Sequence, residues 1–373
     1  MRVAVVSDAV HPFHKGGKEE RLHALTSRLS RHGVEAHVFT MRWWDGPTEH
    51  REGDVVLHAM APYVPLYAGS RRSIRQGVVF AVSCLRMLRE RFDVLEADAI
   101  PFLHLFPLRV VATIKRRPFV VTWHEVWGQA YWRRYLGPLG SVASFCERRA
   151  VALPDVIVAA SSGTAERLAE VSRGRAHVVV VPNGVDRAEI DRVEPAVDAA
   201  DLLCVGRLLA HKNVHVLLEA LSVLHGRGVR LSLDVIGQGP EETRLRGLAH
   251  RLGLAASVRF RGALDRRGDV LALMKSTSVL AFPSEREGFG MVALEALACG
   301  TPVVTSDAED NFARALIRPG VDGEVCPARP EELADAIERV LAELPARRRG
   351  AAERAASFDW DALAAGLAEV YRP

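Results

Sequence analysis

Glu287 and Glu295 bracket the stretch Glu-Gly-Phe-Gly-Met-Val-Ala-Leu-Glu. Carboxylates accept hydrogen bonds from hydroxyls, so Glu287 at the corner suits a sugar and Glu295, about one helical turn in, a ribose-type diol. Between them Gly288 and Gly290 let the chain turn tightly enough for backbone N–H groups to face a ligand. A helix expected from about Met291 to Cys299, ended by Gly300 and Pro302, starts at that corner. Helix starts attract phosphate through unpaired N–H groups and the helix dipole. The segment therefore has the parts needed to hold an anionic leaving group beside a hydroxyl-rich sugar. Two other readings compete. Paired glutamates in an Ala/Leu-rich helix are usually just solvated. Glycoside hydrolysis also uses two carboxylates, at about 5–9.5 Å, whereas eight helical residues span about 12 Å; because the corner is not helical, this weakens hydrolysis without removing it.

Upstream, Leu202-Leu-Cys-Val-Gly206-Arg207 reads as a strand ending in glycine, and Lys212 follows on the same loop. Ligands bind at the carboxyl ends of strands in open α/β sheets. Two cations there can clamp a diphosphate, Arg207 as a planar fork and Lys212 as a point charge, although such a pair after a strand is most often surface solvation. The elements that must position these residues alternate along the whole chain. In the first half, strands are expected at 2–7, 35–40, 93–97 and 118–123, with helices at about 18–32, 73–91 and 102–115; Val156–Ala159 and Val178–Val181 continue the pattern. In the second half, strands are expected near 201–205, 231–236, 257–260, 279–283 and 302–305. This alternation means mostly parallel sheets with helices on both faces. Pro182-Asn-Gly184 reads as the turn out of the first domain.

At 373 residues the chain suits two domains. No run of 18 uncharged apolar residues exists, so no membrane span is expected, and the chain opens on a strand rather than a signal peptide. Five scattered cysteines without a Cys-x-x-Cys argue for free thiols, a cytoplasmic location and no structural zinc. The net charge of +3 hides an asymmetry: residues 1–184 carry 25 Lys/Arg against 17 Asp/Glu, and 185–373 carry 24 against 29. The basic half, with Arg71, Arg72, Arg75, Arg86 and Arg89, suits an anionic surface or partner, with a solvated arginine-rich face as the plain alternative. Nucleic-acid binding lacks a matching motif.

Gly206-Arg207 with Lys212, Val235-Ile-Gly237-Gln-Gly239-Pro240, Pro283-Ser284 with Glu287-Gly-Phe-Gly, Glu295-Ala-Leu-Ala-Cys-Gly-Thr-Pro-Val-Val304, Val181-Pro-Asn-Gly-Val-Asp186 and Gly16-Gly17 together resemble the retaining glycosyltransferases of family 4, over nearly the whole chain. That resemblance implies an α/β protein of GT-B architecture, two Rossmann-like parallel-sheet domains facing across a cleft. The expected division is an acceptor-binding domain at 1–184, a nucleotide-sugar-binding domain at 185–355, and a terminal helix at 356–373 crossing back to the first. It also implies that Arg207 and Lys212 bind the donor diphosphate and Glu295 the nucleotide ribose. Glu287 contacts the donor sugar, with the backbone from Gly288 and Phe289 through Gly290 and Met291 to Val292 beside it. Arg261 lies on the segment Val258–Gly262, which resembles the strand that carries the family's base-contacting backbone. Gly16 and Gly17 let backbone approach the donor phosphate and the acceptor.

On the acceptor side, His124 ends the strand Phe119–Trp123 and resembles the family's strand-end histidine that contacts the donor sugar. Trp123, Trp127 and Tyr131, with Trp132 and Tyr135 in the same stretch 123–135, form the candidate acceptor wall, since flat rings suit sugar faces or lipid-like chains. The resemblance implies transfer with retention from a UDP- or GDP-linked sugar to a glycan, lipid-linked or small-molecule hydroxyl. His124, Arg207, Lys212 and Glu287 carry the chemistry, with no cofactor or metal because fixed cations replace it, and contact with the inner face of a membrane is one expected partner. The alternatives are a GT-B-fold phosphorylase, a nucleotide-sugar epimerase, or a catalytically silent sugar-nucleotide-binding protein.

Overall fold

Strands buried on both faces read as near-continuous apolar runs, and Val3–Val6, Phe119–Trp123 and Val279–Phe282 are buried at every position. The computed structural model describes all residues except Lys15, Gly69, Ser70 and Pro373, and leaves the side chains of Ala68 and Arg71 outside the described set; Lys15 of the first loop and the Arg71 side chain of the basic run are therefore not described. The chain divides into two units, Met1–Asn183 with Trp360–Pro373, and Gly184–Asp359.

The first unit is built on an eight-stranded sheet. From edge to edge its strands are Val178–Val180, Val156–Ala159, Phe119–Trp123, Val94–Asp98, Arg2–Val6, Glu35–Met41, Val55–Ala61 and Glu49–Glu52. Every neighbouring pair is parallel except the last, an antiparallel edge hairpin. The chain starts at Arg2–Val6, winds outward through Glu35–Met41, then returns to the other side of Arg2–Val6 with Val94–Asp98. That return makes a topological switch point, where a crevice forms at the strands' carboxyl ends.

The terminal helix Trp360–Val370 belongs to this unit and packs against Gly17–Leu29. The expected terminal segment is 356–373. In the structure residues up to Asp359 stay with the second unit. Asp361 pairs with Arg28 at 3.1 Å and Arg31 at 2.7 Å, Leu367 and Ala368 are buried, and the Tyr371 hydroxyl donates to the buried Glu96 carboxylate.

The second unit repeats the plan with six parallel strands: Val258–Gly262, Leu233–Ile236, Leu202–Val205, Val279–Phe282, Val303–Ser306 and Gly323–Cys326. Here the chain winds one way from Leu202–Val205, then returns on its far side with Val279–Phe282. The second switch point therefore lies between the two strands whose loops carry Arg207, Lys212 and Glu287.

Candidate functional site

In the second unit, Leu202–Val205 runs out through Gly206 and Arg207 into the single turn Ala210–Lys212. Its neighbour Val279–Phe282 runs out through Ser284 to the Glu287 corner. The Glu285 N–H donates to the His211 carbonyl at 2.8 Å, tying the two loops together. Lys212 Nζ consequently lies 2.6 Å from Glu287 Oε1. Arg207 is exposed, and among the described residues no side chain pairs with it. A cation left unneutralised at a strand's carboxyl end is poised for an anionic ligand.

The corner itself requires glycine at position 290. Gly290 has φ +93°, and a Cβ there would lie 2.3 Å from Ala313 Cβ. The helix Met291–Ala298 starts immediately after it, and the first N–H groups of a helix have no intrahelical partner. The Phe289 ring is buried against Phe358, so this residue offers a ligand only its backbone. Glu295 Oε1 accepts from Arg267 at 2.9 Å, which aims the carboxylate. A carboxylate has about four acceptor sites, so the pairing still allows bonds from a diol.

The Arg261 side chain is held within the unit. Its guanidinium is 2.9 Å from Asp234 and 3.1 Å from Asp198, and Arg259 pairs with the same two carboxylates. Asp234 is 1% exposed, and a carboxylate that deep needs a cation beside it. The Arg261 side chain therefore neutralises an internal acid instead of standing ready for a donor, and only the backbone of Val258–Gly262 remains to meet a nucleotide.

In the first unit the switch point holds a buried ionic network that the sequence did not reveal. Lys18 Nζ lies 2.8 Å from Asp8 Oδ1 and 3.5 Å from Asp98 Oδ2. Arg72 meets Asp8 at 2.6 Å, and His124 Nε2 meets Asp98 Oδ1 at 3.0 Å. Burial pushes the Asp8 carboxyl up, but Lys18 and Arg72 outweigh it and hold the group below the usual carboxylate range. Burial likewise opposes ionisation of Asp98, and Lys18 and His124 overcome it, again leaving the group lowered. The same attraction outweighs burial at Lys18 and raises its pKa. Gly16, Gly17, Lys18, Arg72, His124 and Trp127 line a pocket of about 330 Å³ around this network. Ser7-Asp8 and Glu96-Ala-Asp98, acids at the carboxyl ends of two apolar strands, are the signal that could have found it.

One member of the acceptor wall, Trp123, is corrected. Trp123 is 0% exposed, in the core beside Phe102, because the strand it ends is covered on both faces. The residues after it form a helix, Gly128–Leu136, which turns its aromatics to different sides. Trp127, Trp132 and Tyr135 line an apolar cavity of about 260 Å³. Tyr131 packs on Trp127 and Tyr135 and does not line it. Elsewhere in this unit, His11, His23 and Glu52 bring potential ligand atoms within 4.8 Å of one another, with His11 Nδ1 paired to Glu52 at 3.2 Å.

His104 supplies a pH test of this unit. It is fully buried, its Nε2 is 2.8 Å from the Asp98 carbonyl oxygen, and burial pushes its pKa down to about 4. The unfolded chain takes up that proton near pH ~6.5. Stability from a neutral His104 is thus fully present above the unfolded value and is lost as pH falls from there to about 4. All six tryptophans lie in this unit, so denaturant unfolding followed by tryptophan fluorescence reads it selectively. The slope of stability against pH across that window is expected to flatten in His104→Gln.

Residues 186–357 match the family described as Glycosyl transferases group 1, and residues 15–189 match Glycosyltransferase Family 4. The chain is 30% identical to the GDP-mannose-dependent alpha-(1-6)-phosphatidylinositol dimannoside mannosyltransferase of Mycobacterium tuberculosis, over 85% of this chain and 82% of that protein. It is 29% identical to glycogen synthase of the same species, covering 100% and 94%. Among solved structures, the sucrose-phosphate synthase of Thermosynechococcus elongatus superposes with a TM-score of 0.76 at 21% identity, covering 100% of this chain and 98% of that one. Anabaena HepE in complex with UDP-glucose gives 0.70 at 22% identity, covering 99% of each.

Proposed function

Since the chain belongs to glycosyltransferase family 4, the glycosyl transferases group 1, and is a glycosyltransferase of GT-B fold, we propose that it moves a hexose from a UDP- or GDP-linked donor to a hydroxyl acceptor with retention at the anomeric carbon. The observation that carries this reading is the collection of Arg207, Lys212, Glu287, Glu295 and the Met291 helix start around one switch point. The anomeric C–O bond to phosphate breaks, the acceptor oxygen forms the new bond on the same face, and the acceptor proton passes to the departing phosphate. Charge growing on the diphosphate is met by Arg207, Lys212 and the helix-start N–H groups, donors fixed before reaction. Glu287 holds Lys212 in place until the donor arrives, then accepts from sugar hydroxyls. Glu295 takes the ribose. These fixed cations make a divalent metal unnecessary, and no cofactor is invoked.

His124, oriented by Asp98, contacts the donor sugar, and the polar pocket around Gly16 and Gly17 receives the acceptor hydroxyl. We further propose peripheral membrane contact through the basic first unit. Support comes from the helix Ile74–Ser83, which exposes Ile74, Val78 and Val82 in a stretch that also carries Arg75. Among the described residues no helix is long and apolar enough to cross a membrane. The five cysteines form no disulfide, which supports a reducing, cytoplasmic setting.

Two substitutions test the division of roles. Glu295→Ala is expected to weaken UDP or GDP binding, by about 1.5–3 kcal/mol for a lost charged hydrogen bond. Glu287→Ala should leave free UDP or GDP binding intact or tighter, because Lys212 is released to phosphate, while turnover falls. Calorimetric titration of the free diphosphates separates them. Loss of UDP and GDP binding in Glu287→Ala would reverse the assignment.

A further inference from the structure

The cavity between the helix Ile74–Ser83 and the pair Gly128–Leu136 and Gly140–Ala150 plays no part in the chemistry above. We propose that it holds the hydrocarbon chain of the acceptor, making the acceptor a lipid or lipid-linked glycan whose hydroxyl end lies in the polar pocket; this rests on the glycosyltransferase reading and names its substrate class. Three observations carry it. The first is continuity: the cavity of about 260 Å³ shares Arg72, Ile100 and Trp127 with the polar pocket of about 330 Å³. One molecule with a polar end and an apolar tail can occupy both.

The second is the chemistry of the lining. Four of its polar groups already have partners within the protein. Trp132 Nε1 donates to Glu147 at 2.9 Å and Trp127 Nε1 to Glu125 at 3.0 Å. The Tyr135 hydroxyl accepts from the Arg72 N–H at 3.1 Å, and Ser73 Oγ accepts from the Gln76 N–H at 3.2 Å. Glu147, itself 1% exposed, also accepts from the N–H groups of Trp127 and Gly128 at 2.7 and 3.0 Å, so the wall is held rigidly with its apolar faces outward. A sugar placed there would leave its hydroxyls without partners, which costs several kcal/mol in the absence of water. A methylene chain loses nothing.

The third is the mouth. Ile74, Leu139 and Val142, all lining residues, are 58%, 57% and 60% exposed, and Val78 and Phe145 extend the apolar rim. Exposed apolar surface of this kind marks a binding site. Arg133 and Arg134 close the helix on one side of the cavity, and Arg148 and Arg149 the next, which suits entry from an anionic lipid surface.

The test is binding of n-alkyl β-glucosides from butyl to decyl, each kept below its micelle concentration, followed by calorimetry, with UDP and GDP titrated into the same samples. Affinity is expected to rise by about fourfold per added methylene. That slope should flatten in Ala143→Trp, which fills the cavity, and in Val142→Asp, which puts a charge at its mouth; circular dichroism and UDP or GDP binding report that each variant is folded. A flat series in the wild-type protein with UDP or GDP still bound overturns the cavity assignment alone. A slope unchanged in both folded variants overturns its location. A slope without any UDP or GDP binding overturns the acceptor role and the glycosyltransferase reading with it.

Discussion

Replacing Lys212 by alanine is expected to lower kcat by about 10²–10³-fold, the usual cost of removing one preorganised donor from a developing charge. Lys212 is one of only five lysines against 44 arginines, and its ammonium sits 2.6 Å from Glu287. The substitution does more than subtract a cation, since it leaves the Glu287 carboxylate beside the phosphate with its charge uncancelled. Lys212→Ala should therefore weaken UDP or GDP binding more than Arg207→Ala, although Arg207 is the more exposed cation. Nucleoside binding should be nearly unchanged in both, because the cations meet phosphate and not the base. Steady-state kinetics with calorimetry of diphosphate against nucleoside checks this. Equal losses for nucleoside and diphosphate would remove Lys212 and Arg207 from the phosphate site.

The second large effect is on stability. Asp8 is 0% exposed and pairs with Lys18 and Arg72. Asp8→Ala leaves Lys18 and Arg72 without their shared partner, Lys18 keeping Asp98 at 3.5 Å and Glu19 at 4.0 Å, and breaking a buried pair from one side costs about 3–5 kcal/mol. Because the Asp8 carboxyl is lowered in the folded state, its contribution is fully present above the unfolded carboxylate value of about 3.9 and is lost as pH falls through the still lower folded value. The gap between wild type and variant should thus be constant near neutrality and close in strong acid. Tryptophan-detected unfolding of the first unit measures it. A cost below about 1 kcal/mol would place the network among surface pairs that contribute little.

What could be read from the sequence was whatever is encoded locally. The Glu287 to Glu295 corner is contiguous, and strand, glycine, helix and stop follow one another in nine residues and their flanks, so its geometry is fixed by its own turn chemistry. Arg207 and Lys212 were legible for the same reason, sitting just past an apolar strand that ends in glycine. The network of Asp8, Lys18, Arg72, Asp98 and His124 was not, because it exists only once Arg2–Val6 and Val94–Asp98 lie side by side, a pairing no local pattern specifies. The engagement of the Arg261 side chain was hidden for the same reason, since Asp234 on the neighbouring strand and Asp198 on a loop meet it only in the folded unit. The aromatic stretch 123–135 was legible only in part: Trp127, Trp132 and Tyr135 line one cavity, whereas Trp123 ends a strand covered on both faces and is buried. The edge hairpin Glu49–Glu52 and Val55–Ala61 also escaped notice, its outer strand too polar to show a sheet pattern.

The central claim, transfer of a sugar from a nucleotide-diphosphate donor, is tested most directly by incubating the protein with UDP-glucose or GDP-mannose and a decyl glycoside, then quantifying nucleotide and glycoside products by chromatography. The account predicts release of UDP or GDP in step with a glycoside one hexose longer, without added metal or phosphate, and near-complete loss of both in Lys212→Ala. Consumption that requires inorganic phosphate, conversion of the donor to its epimer, or no turnover and no binding of either donor would contradict it.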